Sequence, residues 1–237
     1  MSTPTPLWRR ALAEFIGTGL LVAVVAGSGI AAQQLSPHDV GLELLENSIA
    51  TALGLAVLIL MLGPISGAHF NPVVTLADAV LGGRPWRDVA PYLLAQVIGG
   101  IGGAELANAM FGAGVRLSSH HRSTSGHQIG EVVATAVLVL LIFMLVRTGQ
   151  TAAAPAAVGA YIGAAYWFTS STSFANPAVT VGRIFTDTFA GIAPLSAPGF
   201  IAAQLVGAAV GLGLLILLIP SPRVNAADAV VPERTLS

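Results

Sequence analysis

SGAHFNPVVT at residues 66–75 returns as SSTSFANPAVT at 170–180. Each copy sets a polar, Gly- or Ser-rich approach before an Asn-Pro pair and a run of only about ten moderately apolar residues after it, too short to cross a bilayer. Asn as N-cap with Pro at the first helical position is a helix start, because the proline lacks an amide that would be unpaired there anyway. Each copy therefore predicts a re-entrant loop followed by a half-helix that begins inside the membrane. Irregular backbone survives at that depth only when buried in protein or facing a water-filled path. One Asn-Pro alone would read as an ordinary turn or cap; two at matching positions inside apolar sequence predict a pore.

The surroundings fit a membrane protein. Of 237 residues, 54% are hydrophobic and 9% charged, and the mean hydropathy is +0.80; a soluble domain carries roughly 25% charged residues. That composition excludes a soluble enzyme. A net charge of −1, with no basic cluster beyond Arg9-Arg10, leaves no footprint for nucleic acid. With no cysteine, disulfides, thiol nucleophiles and Cys-ligated metals are excluded, and no Walker or dinucleotide fingerprint is present. About 20 apolar residues are needed per span, and such stretches lie near 11–32, 47–63, 88–110, 129–148, 153–169 and 197–219. The second is predicted to end at Gly63-Pro64.

Three features recur 105 to 117 residues apart: AEFIGT at 13–18 with GEVVAT at 130–135, the two Asn-Pro segments, and PYLLAQVIG at 91–99 with PGFIAAQLVG at 198–207. Three matches in one order mark an internal repeat. Three spans per repeat invert the second copy relative to the first. Two half-helices would then enter from opposite faces and bring their partial positive ends together. A cation is repelled there, while a neutral hydroxyl compound takes hydrogen bonds from the Asn71 and Asn176 amides and gives them to loop carbonyls.

Counting arginines puts Arg9, Arg10, Arg84, Arg87, Arg147, Arg223 and Arg234 on one side against Arg116, Arg122 and Arg183 on the other, which predicts both termini in the cytoplasm. Arg9-Arg10 before an apolar run also has the look of a secretory signal, but Glu14 inside that run, and its counterpart Glu131, argue for a retained first span.

The SGAHFNP at 66–72, NPA at 176–178, six spans and paired intramembrane glutamates resemble the aquaporin or major intrinsic protein family over roughly residues 8–220. The resemblance implies an all-α fold, six transmembrane helices plus two re-entrant half-helices in inverted repeats, working as a passive channel for water and small uncharged solutes. It implies one domain over 1–237, with repeat 1 at about 8–112, repeat 2 at about 128–220 and a disordered cytoplasmic tail at 221–237. It further implies a homotetramer in a bilayer, in a bacterial inner membrane, with neither cofactor nor metal. The pore motifs are Asn71, Pro72 and Val73, where the family has alanine third, and Asn176, Pro177 and Ala178.

The chain departs from the family at the outer filter. Val179 stands where most members carry arginine, replacing a cation and five donors with an apolar wall. The remaining filter positions fall on Ser173, about Ala164, and either Thr51, counting back from Asn71, or Leu53, aligning the helix interior. None of these is aromatic, so the filter is expected to be wide and to pass glycerol, urea or metalloid hydroxides such as As(OH)3; the stretch at 169–180 resembles a bacterial branch associated with arsenic resistance. Arg183, seven residues past Asn176 as Asp78 is past Asn71, is expected to anchor the end of its half-helix at the interface, with a charge lent to the outer mouth as the alternative reading. Glu14 and Glu131 are expected to accept hydrogen bonds from loop amides that lack partners, and His69 to fix its loop. His120, His121 and His127 read as polar surface of a flexible loop and not a metal site. A coupled secondary transporter and an ion-leaking pore are the alternative functions.

Overall fold

The computed structural model describes residues 5–219, and no strand occurs among them. The tail at 221–237, with Arg223 and Arg234, lies outside the described residues. Eight α-helices occur among the described residues: α1 (Leu7–Leu35), α2 (Val40–Ser66), α3 (Pro72–Val80), α4 (Trp86–Met110), α5 (Ser125–Arg147), α6 (Ala154–Phe168), α7 (Pro177–Gly182) and α8 (Ala197–Leu218). Helices α1, α2, α4, α5 and α8 are long and apolar enough to cross a bilayer alone. Helix α6 has 15 residues, preceded by a 3-10 turn at Thr151–Ala153; together they reach about 28 Å. The fold is thus six spans plus two half-helices.

Local chemistry explains the ends. Asp39 caps α2 by accepting from the Leu42 amide at 3.0 Å, and Thr124 caps α5 through the His127 amide at 3.2 Å. Helix α2 does not stop at Gly63-Pro64: it runs on to Ser66 and ends where Gly67 turns left-handed at φ 91°. Proline removes one amide donor, to the carbonyl four residues back, and so near the end of the helix that loss is tolerated. Gly67 does the stopping, its amide returning to the Gly63 carbonyl at 2.9 Å.

Close helix contact depends on missing side chains. A methyl group at Gly103 of α4 would overlap the Gly19 carbonyl of α1, and one at Gly211 of α8 would overlap the Ala136 carbonyl of α5. Without a hydrophobic drive between helices in lipid, backbone approach through small residues is what brings them together. Gly103→Val is therefore expected to force α1 and α4 apart at a cost of about 3 kcal/mol, read as a fall in the detergent-solubilised melting temperature of the full chain; an unchanged melting temperature would refute the packing argument.

Leu53 (64%), Val57 and Leu60 of α2, with Leu205 and Leu217 of α8, point outward as part of an apolar belt, as lipid requires.

Candidate functional site

The two half-helices meet N-terminus to N-terminus. Asn71 Oδ1 accepts from the Val73 amide at 3.1 Å, and Asn176 Oδ1 accepts from the Ala178 and Val179 amides at 2.9 and 3.2 Å, so each asparagine caps its own half-helix. Each Nδ2 then crosses over: Asn71 donates to the Ala175 carbonyl at 2.8 Å and Asn176 to the Phe70 carbonyl at 2.7 Å. A carboxamide nitrogen has two hydrogens, so one on each residue remains for the lumen that both side chains line. Pro72 and Pro177 open the helices, Ala178 is buried, and Val73 is buried among Val139, Phe143 and Leu215, away from the lumen wall.

The loops leading in are wound unfavourably. Ala68 and Phe70 in the first loop, and Thr172, Ser173 and Ala175 in the second, have φ between 48° and 60°, costing of order 1–3 kcal/mol each. Two buried carboxylates hold them. Glu14 accepts from the His69 and Phe70 amides at 3.0 and 2.7 Å, from Ser66 Oγ at 2.6 Å and from Gln96 Nε2 at 2.8 Å. Glu131 accepts from the Phe174 and Ala175 amides, each at 2.8 Å, and from Gln204 Nε2 at 2.6 Å. Gln96 also reaches Thr75 Oγ1 at 3.0 Å and Gln204 reaches Thr180 Oγ1 at 2.9 Å, and both threonine hydroxyls donate to the carbonyl of their asparagine. The same Glu, Gln, Thr, Asn sequence of contacts occurs once in each half.

Beside the first loop, His69 Nδ1 lies 3.0 Å from Thr75 Oγ1 and its Nε2 lies 3.6 Å from the Asp78 carboxylate, which Arg84 Nε meets at 3.2 Å. Arg84 also donates to the Ser66 carbonyl and covers the Tyr92 ring.

The lumen encloses about 80 Å³, enough for a single short file at roughly 12 Å³ per water. Thr51, Ser173 and Val179 line it together with Tyr166 and Arg183. Leu53 does not; it faces outward. Ala164 is also exposed. Residues two apart on a helix are about 200° apart in direction, so a choice between 51 and 53, or between 164 and 166, reverses the face. Tyr166, which counting from the motif missed, is the residue of α6 that enters the ring, with its hydroxyl 3.1 Å from Thr51 Oγ1. The expectation of a ring without an aromatic side chain is thereby corrected. Composition alone does not single it out, since α6 also carries Tyr161, Trp167 and Phe168; the helix rotation selects Tyr166.

Arg183 is corrected too. It is 2% exposed, not anchored at an interface, with its Nε on the Ala190 carbonyl and its guanidinium 3.4 Å above the centre of the Phe174 ring.

The histidine-bearing loop between α4 and α5 is tied down. The Ser118 amide reaches the Ile184 carbonyl and the Ala193 amide reaches the His120 carbonyl, both at 2.8 Å, while Arg122 donates to the Gly191 and Phe189 carbonyls. Asp187 accepts from the Ser119 amide and hydroxyl, and these bonds hold its carboxyl below the ordinary range. His127 belongs to the first turn of α5 and faces Phe200 at 6.4 Å. No cluster of three potential metal ligands occurs among the described residues.

Comparison with known proteins gives a consistent picture. The profile of the family described as major intrinsic protein matches residues 1–175. The aquaglyceroporin AqpS of Rhizobium meliloti is 49% identical over 218 residues, covering 92% of this chain and 93% of that protein. Aquaporin Z of Brucella melitensis is 32% identical, over 84% and 92% respectively. Among solved structures, the aquaglyceroporin from Plasmodium falciparum superposes with a TM-score of 0.68 at 19% identity, covering 90% of this chain and 95% of that one.

Proposed function

Because the chain belongs to the major intrinsic protein family, and is thus a passive membrane channel for water and small neutral solutes rather than an enzyme, we propose that it favours solutes larger than water: glycerol, urea and metalloid hydroxides such as As(OH)3. The observation that carries this reading is Val179. It presents an uncharged wall to the lumen that Thr51, Tyr166 and Ser173 also line, where an arginine would fill space and hold water. A carbon-bearing solute gains contact with that wall and with the aliphatic side chains of Val25, Leu55 and Ile162 elsewhere in the lumen, while its hydroxyl groups meet the two asparagine amides in turn. The half-helix dipoles oppose cations at the asparagines, the established barrier of aquaporin-type pores.

Glu14, Glu131 and His69 serve in this reading as supports for the loops and do not relay protons. Coupled transport would want an ionisable or Na+ site at mid-depth; the crossed pair there is two neutral carboxamides.

Stopped-flow light scattering on proteoliposomes, with water, glycerol, urea and As(OH)3 gradients in parallel, tests the proposal. Fast swelling in the larger solutes supports it. Water flux with the others excluded would mean that Tyr166 and Thr51 close the ring. The same assay on Tyr166→Ala is expected to raise urea and glycerol flux several-fold relative to water, since deleting a phenol ring opens the lumen by far more than one methylene, itself worth roughly 10-fold or more in discrimination; a variant indistinguishable from the parent would remove Tyr166 from the ring.

A homotetramer, cytoplasmic termini and a bacterial inner membrane complete the proposal. The absence of native cysteine makes single introduced cysteines clean reporters of sidedness, and native mass spectrometry reports the subunit number.

A further inference from the structure

We propose that Arg183 is the residue that keeps cations out of the mouth of this lumen on the α7 side, a role resting on the channel reading above. It stands four residues beyond Val179, about one turn along the same half-helix, and both side chains line the lumen. The charge missing beside the second motif is therefore present one turn further out.

The setting of the guanidinium is that of a fixed charge rather than of a paired one. Its Nε is held by the Ala190 carbonyl and its plane rests on Phe174. Phe174 is in turn fixed by its amide on Glu131 and by edge contact with Phe200 at 5.0 Å. The ionisable groups acting on Arg183 are Tyr166, Arg122 and Glu131. Arg122 is a second cation, 5.3 Å from the centre of the same ring. The Glu131 oxygens are occupied by the Phe174 and Ala175 amides and by Gln204. No carboxylate of the described residues makes an ion pair with Arg183.

The other half of the molecule shows the contrast. Seven residues beyond Asn71, where Arg183 lies seven beyond Asn176, stands Asp78, and its carboxylate is met by Arg84 and His69. Equivalent backbone positions thus carry a balanced charge on one side of the channel and an unbalanced positive one on the other. A purely structural arginine, locking the 186–193 loop to α7, would need the Ala190 contact but no place in the lumen wall. A unit cation passing ~6 Å from the guanidinium at an effective dielectric constant of ~40 loses roughly tenfold in occupancy.

Urea and guanidinium are close in size and shape and differ by one charge, so their flux ratio through the full-length chain in proteoliposomes isolates the electrostatic effect. The wild type is expected to admit urea and exclude guanidinium, and Arg183→Gln to raise the guanidinium-to-urea ratio by roughly tenfold or more. A ratio unchanged in an assembled Arg183→Gln channel overturns the inference and leaves the channel reading standing. A wild type that passes neither water nor urea overturns that reading and the inference with it. Arg183→Lys carries the test if the glutamine variant does not assemble: a buried ammonium loses its proton within reach of ordinary pH, so guanidinium flux is expected to rise between about pH 7 and pH 10 in this variant and to stay flat in the wild type. A flat profile in Arg183→Lys overturns the inference as well.

Discussion

Glu14→Leu is expected to abolish recovery of assembled channel from membranes, and Glu131→Leu to do the same. Each carboxylate is fully buried and accepts at least three hydrogen bonds from groups that have been drawn away from water. Removing it leaves two loop amides and one of the two N–H groups of a glutamine carboxamide with no acceptor, the other still meeting its threonine hydroxyl, at about 1–3 kcal/mol apiece. The loops are also wound through left-handed residues, Ala68 and Phe70 on one side and Ser173 and Ala175 on the other, whose strain is tolerated only while those amides are held. The combined loss approaches the whole of a typical folding free energy, about 5–15 kcal/mol. Fluorescence-detected size exclusion on detergent extracts reads the outcome. A monodisperse Glu14→Leu peak that melts like the parent would show that the loop is held by something else. Glu14→Gln separates shape from acceptor count: one oxygen is kept, but an NH2 group faces two donors, so this variant too is expected to melt well below the parent.

How much of this was legible beforehand follows from what periodicity carries. Six spans and two half-helices were legible because bilayer thickness sets a length and Asn-Pro sets a start, and both are local. Leu53 and Ala164 were misplaced because a filter residue is chosen by the rotation of its helix. That rotation depends on loop lengths, and two residues of error turn the side chain to the opposite face. The end of α2 was misplaced by two residues because proline was given the stopping role that Gly67 holds through its left-handed φ. The spacing of Arg183 from Asn176 does not decide between an interfacial anchor and a charge at the outer mouth, because it says nothing of Phe174 and Ala190, which only the tertiary fold brings under it. The restraint of the loop between α4 and α5 was likewise invisible, since its partners at 184–196 lie more than sixty residues away in the chain.

Val179→Arg is expected to cut glycerol and urea flux by roughly tenfold or more while water flux falls only about twofold. Val179 lines the same lumen as Ser173, Thr51 and Tyr166, the last two joined through their hydroxyls at 3.1 Å. An arginine there adds a guanidinium to a passage of about 80 Å³, taking room that a three-carbon solute needs and a single water does not. Its donors replace an apolar wall with one that holds water, so the solute also loses the contact that favoured it; pocket changes of this kind are worth about 1–3 kcal/mol, or 10- to 200-fold. The new charge lies one turn from Arg183, and like charges at that spacing repel. The double variant Val179→Arg/Arg183→Gln relieves that repulsion while keeping one cation in the mouth. It is expected to restore water flux to the parent level and to leave glycerol restricted. Side-by-side stopped-flow traces on the three proteins decide the matter. Equal loss for water, urea and glycerol in Val179→Arg would mean that the substitution merely blocks or unfolds the pore, and the apolar wall at 179 would then have no part in choosing the solute.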